Sequence, residues 1–151
     1  GSALKMITDL ERIADQSADI SDLIIRLAPK PIKLNPQIFC MAEKARSMVG
    51  RSIDAFINGD VETAQKVCGD DDFVDNLFNE LTMDIAMQIR AGNESIEQLI
   101  DIMFIVKYLE RIADHATNIG EWVVYNETGK HRHLQHPDIR EELEQDTEEK
   151  D

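Results

Sequence analysis

The chain has 151 residues, 42% of them apolar but only 5% aromatic, and a formal net charge of −14. That length supports one domain or two closely packed units, and a composition rich in Ile, Leu, Ala and Met favours helix bundles over sandwiches or barrels. The charge excludes a nucleic-acid backbone as partner, because binding one takes Lys and Arg to displace condensed counterions, whereas multivalent cations and basic protein patches suit an acidic surface.

Gly1 and Ser2 read as a cloning remnant and are set aside. The first predicted helix runs from Ala3 to Leu27 and is stopped by Pro29 and Pro31, since each proline removes a donor and constrains the residue before it. Asn35 and Pro36 supply a cap and a first-turn proline for a second helix ending at Asn58 and Gly59. Its predicted inner side carries Ile38, Ala42, Ala45, Met48, Val49, Ser52, Ile53 and Phe56. Asp60 caps a third helix that breaks or kinks near Gly69 and continues to about Ala91, with Phe73, Leu77, Leu81, Ile85 and Ile89 four apart. A final helix is predicted from about Glu94 to Thr128, closing at Gly129, with Ser95 as a possible cap. Leu99, Ile102, Val106, Leu109, Ala113, Ala116, Gly120 and Val123 step by threes and fours along it, the seam of an antiparallel bundle. Ala113, Ala116 and Gly120 are small enough to admit a neighbouring helix closely, consistent with repeat packing on repeat.

Residues 137–151 hold eight acids and two bases, a net of −6, and read as a flexible acidic tail or a frayed helix. Cys40 and Cys68 fall in amphipathic patterns and read as buried free thiols of a reducing cytoplasm. No run of about 18 apolar residues marks a membrane span.

The hexapeptide LERIAD occurs at Leu10 to Asp15 and again at Leu109 to Asp114, an offset of 99 residues. The likeness continues through Ile20 and Ile119, which marks a duplicated supersecondary unit. Glu11 and Asp15 thereby match Glu110 and Asp114, each pair one helical turn apart and beside the apolar seam. Asp71 and Asp75 form a third such pair, with Asp72 between them. Like charges at that spacing destabilise an isolated helix by a few tenths of a kcal/mol, roughly, so something has to offset them. If the third and fourth helices are antiparallel neighbours, Asp71, Asp75, Glu110 and Asp114 converge as a hard-oxygen site for iron, zinc, magnesium or calcium. Taken singly, each pair reads as a solvated face partnered by Arg12 or Arg111. Three pairs, two of them duplicated, leave both readings open.

A ferritin-like di-metal oxidase needs Glu-x-x-His on inward positions, which is absent. His115 reads as structural or exposed, and His131, His133 and His136 as a solvated loop. Trp122, Val124 and Tyr125 read as packing residues, with an exposed partner patch as the alternative. Nucleophilic catalysis finds no elbow, glycine-rich cradle or H-E-x-x-H. A carboxylate-metal hydrolase and a metal-free helical scaffold stand as rival functions.

The run YLERIADHATNIGEWVVY from Tyr108 to Tyr125 resembles the last-helix signature of PhoU proteins. ALKMITDLERIADQSADI from Ala3 to Ile20 is similar to the matching helix of that family's first repeat, and CGDDDFVD from Cys68 to Asp75 to a third landmark. The resemblance implies an all-α fold of tandem three-helix repeats, here one partial and one complete. Residues 3–31 are then the last helix of a truncated first repeat, 32–129 a complete second repeat, and 130–151 the acidic flexible tail. An exposed apolar face follows, with a homodimer or a helix-exchanged oligomer as its outcome. Further implications are a cytoplasmic, non-enzymatic, negative regulator of phosphate uptake and phosphate-starvation signalling. It would act by contact with a phosphate ABC transporter ATPase and a sensor histidine kinase, without nucleic acid and without membrane insertion. Multinuclear iron or zinc is implied at Glu11 and Asp15, Asp71 and Asp75, and Glu110 and Asp114, with no catalytic residue. Ala14 and Ala113 stand where such proteins frequently carry glycine, and Asn118 replaces the acid at Asp19.

Overall fold

The computed structural model describes residues 2–135, which form five helices and, among those residues, no strand. They are α1 (Ser2–Leu27), α2 (Pro36–Asn58), α3 (Val61–Gly69), α4 (Asp71–Ala91) and α5 (Ile96–Gln135). Local chemistry sets most of the ends. The Asn35 side chain accepts the Gln37 N–H at 2.9 Å ahead of Pro36, and Asp60 accepts the Thr63 N–H at 3.1 Å. Gly59 and Gly92 end α2 and α4 at φ 62° and 72°, a backbone conformation that side chains with a Cβ resist.

One predicted boundary holds and one is corrected. The third helix divides near Gly69 as expected, with Asp70 as the hinge: the Asp70 N–H is shared between the carbonyls of Lys66 and Val67, and its carboxylate pairs with Arg51 and Lys44 of α2. Gly69 itself keeps an ordinary negative φ. The final helix does not close at Gly129 but runs on to Gln135, because Gly129 also lacks the positive φ of a C-cap and no proline intervenes before Pro137. Residues 130–135, expected in the tail, are therefore helical, and so is the backbone at His131 and His133. His136 and the rest of the predicted tail lie outside the described residues.

At 40 residues and about 1.5 Å each, α5 is a rod of roughly 60 Å against which the other four helices pack. Arg26 of α1 bonds Asp101 near the start of α5, while Asp9 meets His115 further along, so α1 runs antiparallel to it. Cys68 and Asp71 approach Thr117 while Leu81 and Ile85 share a cavity wall with Leu99 and Ile102, which makes the α3–α4 arm antiparallel as well. α2 lies parallel to α5, with Ile38 beside Leu99 and Gly59 beside Glu127. The predicted seam of α5 is buried from Leu99 to Val123. Packed onto it are Met41, Ala45 and Met48 of α2, Val67 of α3, and Val74, Leu77 and Leu81 of α4.

Three packing expectations are corrected. Phe73 is exposed and its place in the core is taken by Val74, one step of three from Leu77 instead of four. Phe56 is likewise at the surface, with Ala55 inside. Cys40 is exposed, one position ahead of the buried Met41 stripe, whereas Cys68 is half-buried with a free thiol. Gly120 does admit a close neighbour, and that neighbour is α3: an added Cβ would lie 3.0 Å from the Ala64 carbonyl and 3.2 Å from the Cys68 sulfur. The close approach is thus within one three-helix unit, not between repeats.

α1 turns Met6, Asp9, Leu23 and Leu27 toward α5 and leaves Leu4, Ile7, Ile24 and Ile25 bare, the exposed apolar face expected of it. At the 99-residue offset Ile7 and Ile24 correspond to Val106 and Val123, both buried in the second copy. The duplicated hexapeptide therefore sits in a packed bundle in one copy and on an open face in the other.

Candidate metal centre

The break at Asp70 starts α4 with its first turn pointing at α5. Asp71 and Asp75, one turn apart, face Asp114, and one carboxylate oxygen from each lies within 4.8 Å of the others. All three side chains are half-buried. Thr117, three residues past Asp114, reaches Asp71 Oδ1 from 3.5 Å. Glu110 stands one turn before Asp114 with its side chain only 14% exposed, and it accepts Lys107 Nζ at 2.7 Å.

Crowding of like charge shows in the proton affinities. Burial, and after it the carboxylates of Glu110, Asp71 and Asp75, push Asp114 up from 3.8 to about 6, with a hydrogen bond to Asp71 adding to the effect. Asp75 is raised by burial and then by Asp71, Glu110 and Asp72, with Lys107 partly opposing. The Cys68 thiol is raised by burial first and then by Glu121 and Asp71.

Of the six carboxylates singled out from the sequence, the fold thus gathers Asp71, Asp75 and Asp114, with Glu110 beside them. Glu11 and Asp15 are exposed on α1, where Arg12 lies 3.6 Å from Asp15 in a pair more than half exposed on both sides. Trp122 is half-buried and its ring centroid lies 6.1 Å from that of the largely exposed Tyr125. Sequence reasoning missed Asp9, which is buried and accepts His115 Nδ1–H at 2.8 Å and Asn118 Nδ2 at 3.3 Å. Its signal was its place on the α5-facing stripe of α1, an acid among apolar positions.

The PhoU domain family matches residues 39–123, more than half of the chain and all of the carboxylate cluster. This chain belongs to the PhoU family. It is 35% identical over 130 residues to the phosphate-specific transport system accessory protein PhoU homolog of Clostridium acetobutylicum, covering 85% of this chain and 59% of that protein. PhoU homolog 1 of Thermotoga maritima is 34% identical over 134 residues, covering 84% of this chain and 56% of the relative. The chain thus spans somewhat over half the length of these curated relatives. Among solved structures, PhoU from Pseudomonas aeruginosa superposes with a TM-score of 0.79 at 26% identity, over 85% of this chain and 66% of that one. The phosphate transport system regulatory protein PhoU from Streptococcus pneumoniae gives 0.74 at 28% identity, over 85% and 65%. These PhoU relatives are named as accessory and regulatory proteins, not enzymes. No described helix is long and apolar enough to cross a membrane.

Proposed function

We propose that this protein is a non-enzymatic, negative regulator of phosphate uptake and phosphate-starvation signalling that works by contact with a phosphate ABC transporter ATPase and a sensor histidine kinase. The observation that carries this reading is the match of α2–α5 to a family whose relatives are named accessory proteins of phosphate-specific transport. The net charge of −14 supports docking on basic surfaces of such partners, where opposite charge speeds encounter and rejects wrong ones. Self-association through the bare face of α1, as a homodimer or helix-exchanged oligomer, belongs to the same reading and is checked by sedimentation at several concentrations. For the regulatory contact, the transporter ATPase and the kinase cytoplasmic domain from the same organism are each titrated against this protein; no binding to either at physiological salt sinks it.

The residues fit a metal. Ligand oxygens about 2.0 to 2.6 Å from a hard cation lie within roughly 5 Å of each other, which Asp71, Asp75 and Asp114 already satisfy. A bound divalent cation, iron or zinc or otherwise magnesium or calcium, would supply the positive charge that these carboxylates lack. Asp71 and Asp75 would hold it from α4 and Asp114 from α5, so their ligation fixes the spacing of the two helices. Elemental analysis of the protein and of Asp75→Ala and Asp114→Ala tests this, and metal content equal in all three discards it. Invariance of the melting temperature to chelator and to added iron or zinc would favour the metal-free scaffold.

A further inference from the structure

Lys107 is a positive charge that bears on two carboxylates of the cluster, Glu110 and Asp75. Its Nζ donates to Glu110 Oε2 at 2.7 Å and lies 5.1 Å above the Phe78 ring, and it opposes the upward shift of Asp75. The nearby cations Lys44 and Arg51 are taken by Asp70, and Arg111 lies over the Tyr108 ring. Lys107, Glu110 and Asp114 follow one another at intervals of about a turn on the same side of α5. The Glu110 carboxylate, mostly shielded from water, therefore has two claimants: the ammonium it now bonds, and any cation held by Asp71, Asp75 and Asp114 one turn away.

We propose that Lys107 is a built-in competitor of the metal ion: it holds Glu110 as its own counter-ion and thereby lowers the affinity of the centre for a divalent cation. This rests on the reading that the carboxylates bind metal. Ion entry brings two positive charges toward the ammonium, so Glu110 has to leave Lys107 to complete the ligand set, and the ammonium is repelled toward solvent, to which it is already partly open at 40% exposure. The consequence is a centre that responds to changes in ion concentration instead of staying filled.

Manganese(II) alone is the probe, titrated into the full chain and read by the electron paramagnetic resonance signal of the free ion. Lys107→Met keeps an apolar side chain beside Phe78 and should bind the ion roughly tenfold tighter, on the order of the one charge-assisted hydrogen bond that Glu110 no longer gives up to reach the ion. Lys107→Arg should match the parent. The gain should disappear in Lys107→Met combined with Glu110→Gln, and Lys107→Gln serves as a second neutral variant, with helicity and melting temperature confirming that each is folded. Affinity of both neutral variants at or below that of the parent overturns the proposal, and a gain that survives Glu110→Gln overturns the role given to Glu110. If Asp114→Asn abolishes binding while Lys107→Met changes nothing, the metal centre stands and only the competitor falls. Binding that Asp114→Asn leaves intact, or no binding by any variant, removes both.

Discussion

His115 Nδ1 lies 2.8 Å from Asp9 Oδ1, joining residues 106 apart in the chain and fastening α1 to α5. Asn118 donates to the same oxygen at 3.3 Å, so one buried carboxylate satisfies two side chains of the central helix. At the 99-residue offset Asp9 corresponds to Tyr108 and His115 to Gln16, so the latch is chemically unlike its counterpart in the other copy.

Replacing Asp9 with Ala strands the half-buried His115 donor and leaves the exposed Asn118 amide to water, at a cost of about 1–3 kcal/mol in urea unfolding. Asp9→Asn should lose less, since its amide oxygen still accepts one of the two bonds. Equal stability of Asp9→Ala and the parent would mean that apolar contacts such as Leu23 and Leu27 hold α1 unaided.

Asp114 makes stability depend on pH in the direction opposite to a salt-bridged acid. Its folded-state value is raised from 3.8 to about 6, so between those values the folded chain holds more protons than the unfolded one. Stability from this group is therefore lowest above pH 6 and recovers as pH falls toward 4, by on the order of 1–2 kcal/mol after screening by solvent. Asp75, also raised, adds in the same sense. Melting at pH 7 and pH 5 in chelator checks this: the parent should gain on acidification, and Asp114→Asn should start more stable at pH 7 and gain less. A parent that only loses stability over that range contradicts it.

What the sequence revealed and what it hid divide by the range of the interactions. The ends at Asn35, Gly59, Asp60 and Gly92 were legible because a cap is made by residues within a turn of it. The α5 seam was legible because burial along one helix repeats at helical period. Gly129 misled because glycine permits a left-handed stop without requiring one. Phe73 misled because a spacing of three and one of four are both helical, and which applies depends on how the Asp70 break turns α4 against α5. The convergence of Asp71, Asp75 and Asp114 followed once α4 and α5 were taken as antiparallel, whereas the Asp9 latch is a long-range contact: the stripe of α1 marks Asp9 as an inward acid but does not name His115 as its partner. The open surroundings of Glu11 and Asp15 depend on what covers α1, which their own residue types do not encode.

Gly120 and Gly50 separate packing from propensity. Both lie inside helices, where Gly→Ala gains about 0.5–1 kcal/mol of helix stability when nothing intervenes. A Cβ on Gly50 meets nothing within 4 Å, so Gly50→Ala should raise the melting temperature by a few degrees, roughly. A Cβ on Gly120 meets the Ala64 carbonyl at 3.0 Å, and a backbone oxygen can retreat only by moving α3. Gly120→Ala should lose about 1 kcal/mol net and Gly120→Val about 2–4 kcal/mol. Stabilisation by Gly120→Ala would show that α3 yields freely.

Asp70 is not within the carboxylate cluster, yet it decides where α4 starts. Its carboxylate pairs with Arg51 and lies 3.7 Å from Lys44 Nζ, with all three side chains about a third exposed or less. Removing it leaves two α2 cations without their partner and frees the first turn of α4 to swing from α5, at about 1–2 kcal/mol. The informative quantity is the proton affinity of Asp114, which is raised first by burial and by Glu110 and then by Asp71 and Asp75 in that turn. In Asp70→Ala the Asp114 carboxyl, followed by nuclear magnetic resonance, should titrate below about 6 and nearer its ordinary value. Asp70→Glu keeps the charge and should restore part of the shift. An Asp114 titration that stays in place while stability drops would reduce the Arg51–Asp70 pair to a tie between α2 and the kink, with no hold on the carboxylates.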